Sequence, residues 1–233
     1  MIEELLPESA ACADAFGDAC WDAPGDAPGD LAGDGLFAEE AALVRRAVAE
    51  RRREFATVRR CARRALAELG LPPVPLLPGP RGAVRWPPGV VGSMTHCAGY
   101  RASALARDRD VAAVGIDAEP DAALPDGVLE SIALPQELHR IRQLTARHPG
   151  IAWDRLLFSA KEAVYKAWYP AVRRELDFTD AEIAFEPDAG TFRARLLVPG
   201  LVLGGRPLTR LDGRWTARRG LVVTAVAVTA ASA

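Results

Sequence analysis

Lysine is almost missing from this chain. The 29 basic residues include only two, Lys161 and Lys166, both in the stretch Phe158–Trp168 that reads F-S-A-K-E-A-V-Y-K-A-W. Elsewhere arginine supplies the positive charge. Keeping two lysines around one glutamate points to a need for a compact ammonium, which the planar and permanently protonated guanidinium does not meet. Other shortages exclude whole classes. There is no run of eighteen apolar residues and no charged-then-apolar leader, so neither a membrane span nor a secretory signal is expected. The four cysteines (Cys12, Cys20, Cys61, Cys97) form no C-x-x-C pair, which predicts reduced thiols in the cytoplasm. With three histidines, a zinc site is not expected. Residues 1–40 lack any Lys or Arg and hold eleven Asp and Glu. Residues 41–233 therefore keep all 29 basic residues against 20 acidic ones, a basic body that suits phosphates, nucleic acid or an acidic protein.

Residues 1–38 are rich in Ala, Asp, Gly and Pro, with a D-A-P-G-D-A-P-G-D repeat at Asp22–Asp30, and predict an irregular acidic flank. From Glu39 to Leu69 the pattern turns helical, and Phe55, Val58, Ala62, Ala65 and Leu69 share one apolar face. Arg51, Arg52, Arg53, Arg59, Arg60, Arg63 and Arg64 surround it, as either a solvated face or an anion site. The proline-rich residues 71–91 predict an extended loop. In G-S-M-T-H-C, Gly92–Cys97, the small donors Ser93, Thr95 and His96 sit on a glycine-started turn and can approach a phosphate oxygen. A purely structural histidine is the competing reading. Tyr100–Ala106 and Val111–Glu119 predict strands joined as a hairpin through Arg107–Asp110. The second strand ends in Asp117 and Glu119, whose i, i+2 spacing puts both carboxylates on one side. Paired carboxylates repel unless a cation lies between them, and oxygen ligands suit magnesium. A strand that merely ends in exposed acids is the alternative.

A helix is expected over Trp153–Tyr169, with Glu162 and Lys166 on one face and Tyr165 beside them. A solvated i, i+4 ion pair would look the same. Strands follow at Glu182–Phe185, Thr191–Val198, Arg214–Ala217 and Gly220–Val228, with Asp212-Gly213 as a turn. Helix then hairpin, followed by helix then strands, predicts an α/β (α+β) fold of two similar halves, 39–119 and 120–233, with a ligand cleft between them.

The combined motifs resemble the 4′-phosphopantetheinyl transferase superfamily. G-I-D-A-E at Gly115–Glu119 and the K-E-x-x-x-K of Lys161–Lys166 match its central signatures. Gly92–Cys97, R-R-x-E-F-x-x-V-R-x-C-A-R at Arg51–Arg63 and W-P-P-G at Trp86–Gly89 are similar to its Sfp-like, enterobactin-synthase subgroup. The resemblance implies a pseudo-symmetric monomer with coenzyme A, the substrate, in the cleft. It implies that Asp117, Glu119 and Glu162 hold Mg²⁺, or Mn²⁺ in its place, against the pyrophosphate. Arg51, Arg59 and His96 would bind the ribose phosphate, and Ser93 and Thr95 belong to the same donor set. Lys161 and Lys166 would contact phosphates, Lys166 steadying the leaving group. Related sequences often carry a lysine where Pro78 stands, and Arg81 is the candidate replacement. Glu162 would be the base, directly or through a metal-bound water. The implied reaction moves the phosphopantetheine arm to a serine of an apo acyl or peptidyl carrier protein of polyketide, nonribosomal-peptide or siderophore synthesis. It releases adenosine 3′,5′-bisphosphate. Trp168, Tyr169 and Phe178 are the expected docking surface. Neither nucleic acid nor membrane is an expected partner. An arginine-rich nucleic-acid module explains neither the carboxylates nor the lysines, and a Mg-dependent phosphohydrolase differs in using water as acceptor.

Overall fold

Ala, Leu and Arg, all strong helix formers, fill Ala49–Glu68, and this stretch is helix α2, preceded by the short α1 (Ala38–Leu43). The computed structural model describes residues 1–17, 35–203 and 205–230. The single helix expected over Glu39–Leu69 is thus two. The break falls at residues 44–48, and Glu40 of α1 ties the pieces together: its wholly buried carboxylate accepts from Phe37 N at 3.0 Å and pairs with Arg63 of α2 at 3.0 Å.

The apolar face of α2 packs on a three-stranded antiparallel sheet of order β1-β3-β2, built from β1 (Ala10–Phe16), β2 (Val90–Cys97) and β3 (Tyr100–Arg107). The irregular flank expected at the N-terminus fails here. Residues 10–16 alternate small apolar side chains inward and pair with β3 along their length, and Ile2 and Leu5 are buried. Composition hid this strand because its core side chains are alanines. The Asp22–Asp30 repeat lies outside the described residues.

A second sheet has the order β4-β10-β9-β6-β5. Its strands are β4 (Val111–Pro120), β5 (Ala181–Glu186), β6 (Thr191–Leu196), β9 (Arg210–Arg218) and β10 (Leu221–Thr229). A small hairpin, β7 (Leu201–Leu203) with β8 (Arg206–Leu208), stands apart. Helices α3 (Val128–Ile132) and α4 (Pro135–Arg147) lead into α5 (Trp153–Val172), whose buried Trp153, Leu156, Leu157, Val164 and Trp168 cover this sheet. The faces of the two sheets away from the helices share one layer: Tyr100, Ala102 and Ala104 of β3 meet Val114, Ile116 and Ala118 of β4 and Val223 of β10.

Two local readings change. β3 and β4 are not a hairpin: β3 pairs with β1 and β2, while β4 pairs with β10 across Asp117↔Thr224. The Arg107–Asp110 turn carries the chain from one sheet to the other, so β4 belongs with the second half. Asp212-Gly213 is not a turn but part of β9, where a Cβ on Gly213 would collide with the Phe192 ring. No helix among the described residues is long and apolar enough to cross a membrane.

Candidate active site

β2 and β4 are edge strands of different sheets, and α2 and α5 both line the cavity over the seam between them. Gly92–Cys97 is strand, not a turn, so its side chains alternate. Ser93 and Thr95 point at β4, where Ser93 Oγ accepts from Ile116 N at 3.1 Å and Thr95 Oγ1 accepts from Ala118 N at 3.2 Å. These two hydroxyls join the sheets. Thr95 also donates to Asp117 Oδ1 at 3.1 Å and is buried, so it positions a carboxylate rather than reaching a phosphate. Of β2, Gly92, Ser93, Met94 and His96 line the cavity, while Thr95 does not.

The cavity above the seam measures about 640 Å³ and is lined from α2 by Arg51, Phe55 and Arg59, and from α5 by Glu162, Tyr165 and Lys166. At its carboxylate end, Gly115 brings the two elements together. A Cβ there would lie 2.7 Å from Ala167 N and on top of Ala163 O, so glycine lets α5 settle close to β4. Lys166 Nζ then donates to Asp117 Oδ1 at 2.7 Å. The i, i+4 pair with Glu162 is not what forms. Asp117 is 4% exposed, and its Oδ2 is buried with no hydrogen-bond partner among the described residues. Glu119 accepts from Arg155 at 3.1 Å. Burial and then the Asp117 charge push the Glu119 pKa up, against the pull of Arg155. Burial also raises Glu162, with Asp117 adding to the rise and Lys166 opposing it.

A buried carboxylate oxygen without a partner carries a desolvation cost of about 1–3 kcal/mol or more, and in native proteins such atoms commonly meet an ion. Oxygen-only donors fit a hard divalent cation. Among the described residues no three His, Cys, Asp or Glu side chains form a ready-made metal cage, since Asp117 is drawn to Lys166 and Glu119 to Arg155. The residues fit a metal through the carboxylate oxygens these cations leave open, Asp117 Oδ2 and the Glu119 oxygen that Arg155 does not hold.

At the other end, Arg51 NH1 contacts His96 Nε2 and lies 3.4 Å from Glu54. Desolvation by its neighbours, then Arg51, lower the His96 pKa, which favours the neutral ring as acceptor for the guanidinium. Arg59 lines the cavity yet is anchored. Its Nε and NH2 donate to Leu76 O at 3.2 and 3.1 Å, its guanidinium lies 3.2 Å over the Phe55 ring, and Glu40 is 3.5 Å away. Burial lowers its pKa to about 10. Arg81 sits at the rim, 62% exposed, paired with Glu175 at 2.8 Å.

Lys161 does not line this cavity but borders a smaller one beside it. Its ammonium donates to Phe178 O at 2.6 Å, Ala181 O at 2.8 Å and the Glu137 carboxylate at 2.9 Å. All three N–H donors have acceptors inside the protein, leaving none for a phosphate. The docking surface is also corrected: Trp168 is fully buried and Tyr169 nearly so, with only Phe178 half-exposed. Sequence reading passed over Arg155, although residues 155, 159, 162 and 166 share a helical face and could have flagged it. Glu40, Glu54, Arg101 and Glu137 gave no signal, because their role depends on contacts distant in the chain.

Two family models match the chain. That of the 4′-phosphopantetheinyl transferase N-terminal domain covers residues 39–106, and that of the 4′-phosphopantetheinyl transferase superfamily covers residues 113–206. The break between them falls between β3 and β4, where the chain changes sheets. Among curated proteins the chain is similar to the 4′-phosphopantetheinyl transferase Svp of Streptomyces mobaraensis, at 65% identity over 84% of this chain and 79% of the relative. PptT of Mycobacterium tuberculosis is 53% identical over 81% of this chain and 84% of its own length. Npt of Nocardia iowensis is 50% identical over 81% and 87% respectively. With both matched segments laid over the two sheets that frame the cavity, and half or more of the aligned residues shared with each relative, the chain belongs to the 4′-phosphopantetheinyl transferase superfamily.

Proposed function

We propose that the cavity binds coenzyme A and that this enzyme transfers its phosphopantetheine arm to a serine of an apo acyl or peptidyl carrier protein. The observation that carries the site is Asp117: one carboxylate oxygen is held by Lys166 and Thr95, and the other is buried and unpartnered among the described residues. Arg51 and His96, with Arg59 behind them, receive the ribose phosphate. Lys166 faces the pyrophosphate. A second cavity of about 240 Å³ shares Glu162 and Tyr165 with the first and takes the pantetheine arm.

Asp117, Glu119 and Glu162 would hold a divalent cation, Mg²⁺ or Mn²⁺, which when bound neutralises pyrophosphate charge. The chain's own residues do the rest. The serine oxygen attacks the phosphorus on the pantetheine side, forming a new P–O bond. The bond to the bridging oxygen breaks, and adenosine 3′,5′-bisphosphate leaves with that electron pair. Glu162 takes the serine proton; a carboxylate whose pKa is raised by burial is a stronger base than an exposed one. Lys166 donates to the leaving phosphate as its charge grows. Both walls of the cavity come from one chain, which supports a monomer, and a coenzyme A substrate suits the cytoplasm. Arg59 and Arg63 are held by Glu40, which favours the transferase reading over an arginine-rich nucleic-acid surface.

Intact-mass spectrometry of an apo carrier incubated with the enzyme, coenzyme A and Mg²⁺ tests the reading. The carrier should gain one phosphopantetheine, and chelation should stop the gain. Release of the bisphosphate without any carrier present would mean that water is the acceptor and the enzyme a phosphohydrolase.

A further inference from the structure

The two lysines of the chain lie on opposite sides of α5. Five residues at about 100° each place Lys161 and Lys166 some 140° apart around the helix. Each reaches a different margin of the five-stranded sheet, whose edge strands are β4 and β5. Lys166 bonds Asp117 on β4. Lys161 bonds Ala181 O on β5, Phe178 O in the turn before it, and Glu137 on α4. Glu137 is itself buried: Oε1 accepts from Ile183 N at 2.6 Å and Oε2 from Leu134 N at 2.7 Å. Ala181 and Ile183 are alternate residues of β5. Lys161 and Glu137 thus satisfy one carbonyl and one N–H on the open side of that strand, where a sixth strand would otherwise bond.

We infer that Lys161 is a positioning residue for the transfer reaction. By tying α5 to the β5 edge and to Glu137, it fixes the rotation of the helix that presents Glu162 and Lys166 to the cavity. This inference rests on the reaction proposed above. Glu162 is the next residue in the chain, so a turn of α5 about its axis moves its carboxyl group directly. The arrangement also accounts for a lysine in a chain that otherwise uses arginine. Three acceptors converge on one nitrogen with three donors, a geometry a flat guanidinium fork does not reproduce.

Lys161→Met, Lys161→Arg, Glu137→Gln and the Lys161→Met/Glu137→Gln pair, made in the full chain, test this by melting temperature and by kcat and KM for coenzyme A at saturating apo carrier. Displacement of reacting groups by about an ångström can cost on the order of 100-fold. Lys161→Met should lower kcat about 10–100-fold with little change in KM, and Lys161→Arg should recover little of it. Glu137→Gln should lower kcat in the same manner but less, and the pair should be no worse than Lys161→Met alone. A lower melting temperature with unchanged kcat would make the lysine a structural brace only and overturn the inference. A raised KM in the Lys161 variants, with Glu137→Gln behaving as wild type, would make it a direct ligand of the donor and also overturn it. If Lys161→Met does not fold, Glu137→Gln decides alone. Failure of the wild type to modify any carrier would instead remove the underlying reading.

Discussion

Lys161 and Lys166 are the same side chain on the same helix, and their surroundings could hardly differ more. Lys161 is 2% exposed and surrounded by two backbone carbonyls and a carboxylate that is 1% exposed. Burial lowers its pKa and Glu137 holds it up, so the charge persists because its partner is locked in place. Lys166 is 27% exposed and bonds one oxygen of Asp117, keeping other N–H donors toward the cavity. One ammonium is saturated by the fold and the other is only borrowed by it. A cation can assist a reaction only if its partner can be exchanged when substrate arrives, and only Lys166 meets that condition.

The largest effect should come from breaking this contrast at Lys166. If it donates to the leaving phosphate, Lys166→Ala should lower kcat by about 10²–10³-fold, the usual cost of one transition-state donor. KM for coenzyme A should rise far less, since the interaction strengthens as charge develops. Lys166→Arg should recover little, because the wider head does not fit between Asp117 and the substrate. Steady-state kinetics on the two variants decide it. An active Lys166→Ala would leave the lysine as a mere partner for Asp117.

Arg155 extends the comparison to the second carboxylate. It holds Glu119 at 3.1 Å while its other nitrogens donate to Ala122 O and Ala123 O, each at 3.0 Å, so this guanidinium is pinned as firmly as Lys161. A pinned cation orients one carboxylate oxygen and leaves the other to a metal. Removing such an outer partner usually weakens metal binding by about 10–100-fold. Arg155→Ala should show that loss in Mn²⁺ binding followed by electron paramagnetic resonance on the free protein, before any turnover. Tighter Mn²⁺ binding would mean that Arg155 competes with the metal for Glu119.

The sequence made some of this legible and hid the rest for physical reasons. The helix at Trp153–Tyr169 and the strand ending in Asp117 follow from spacing, which the chain writes locally. Local order also put Glu162, Lys166 and Asp117 on the page as residues of interest. Which partner each finds depends on the sheet order, and no local pattern encodes that β4 and β5 are the two edges beneath α5. The family resemblance, not helix spacing, read Lys161 with Lys166 as a phosphate contact, whereas it borders the smaller cavity. Thr95 was read as a ligand donor because a hydroxyl has the same identity whether it meets a phosphate or the backbone of the next strand. The β1 strand was hidden by its alanines, which are too small to announce a core.

The smallest effect sharpens the lysine comparison and is read on the free protein by titration, not by turnover. Desolvation and then Arg51 lower the His96 pKa, and Lys166 contributes to that lowering while Lys161 is not among its causes. Removing a nearby positive charge makes the imidazolium less costly, so Lys166→Met should raise the His96 pKa. Arg51→Met should raise it more, and Lys161→Met should leave it in place. The sign for stability follows from the direction of the shift. A histidine held neutral binds fewer protons folded than unfolded, so its contribution is fully present above the ordinary value near 6.5 and is lost as pH falls below that toward the lowered folded value. NMR titration of the imidazole in the three variants reads the shift directly. Binding of coenzyme A should raise the same pKa, because a phosphate set between Arg51 and His96 favours the protonated ring, while 3′-dephospho-coenzyme A should not. A His96 that responds equally to Lys161→Met and Lys166→Met would show that the two ammoniums are not as separate as their contacts make them.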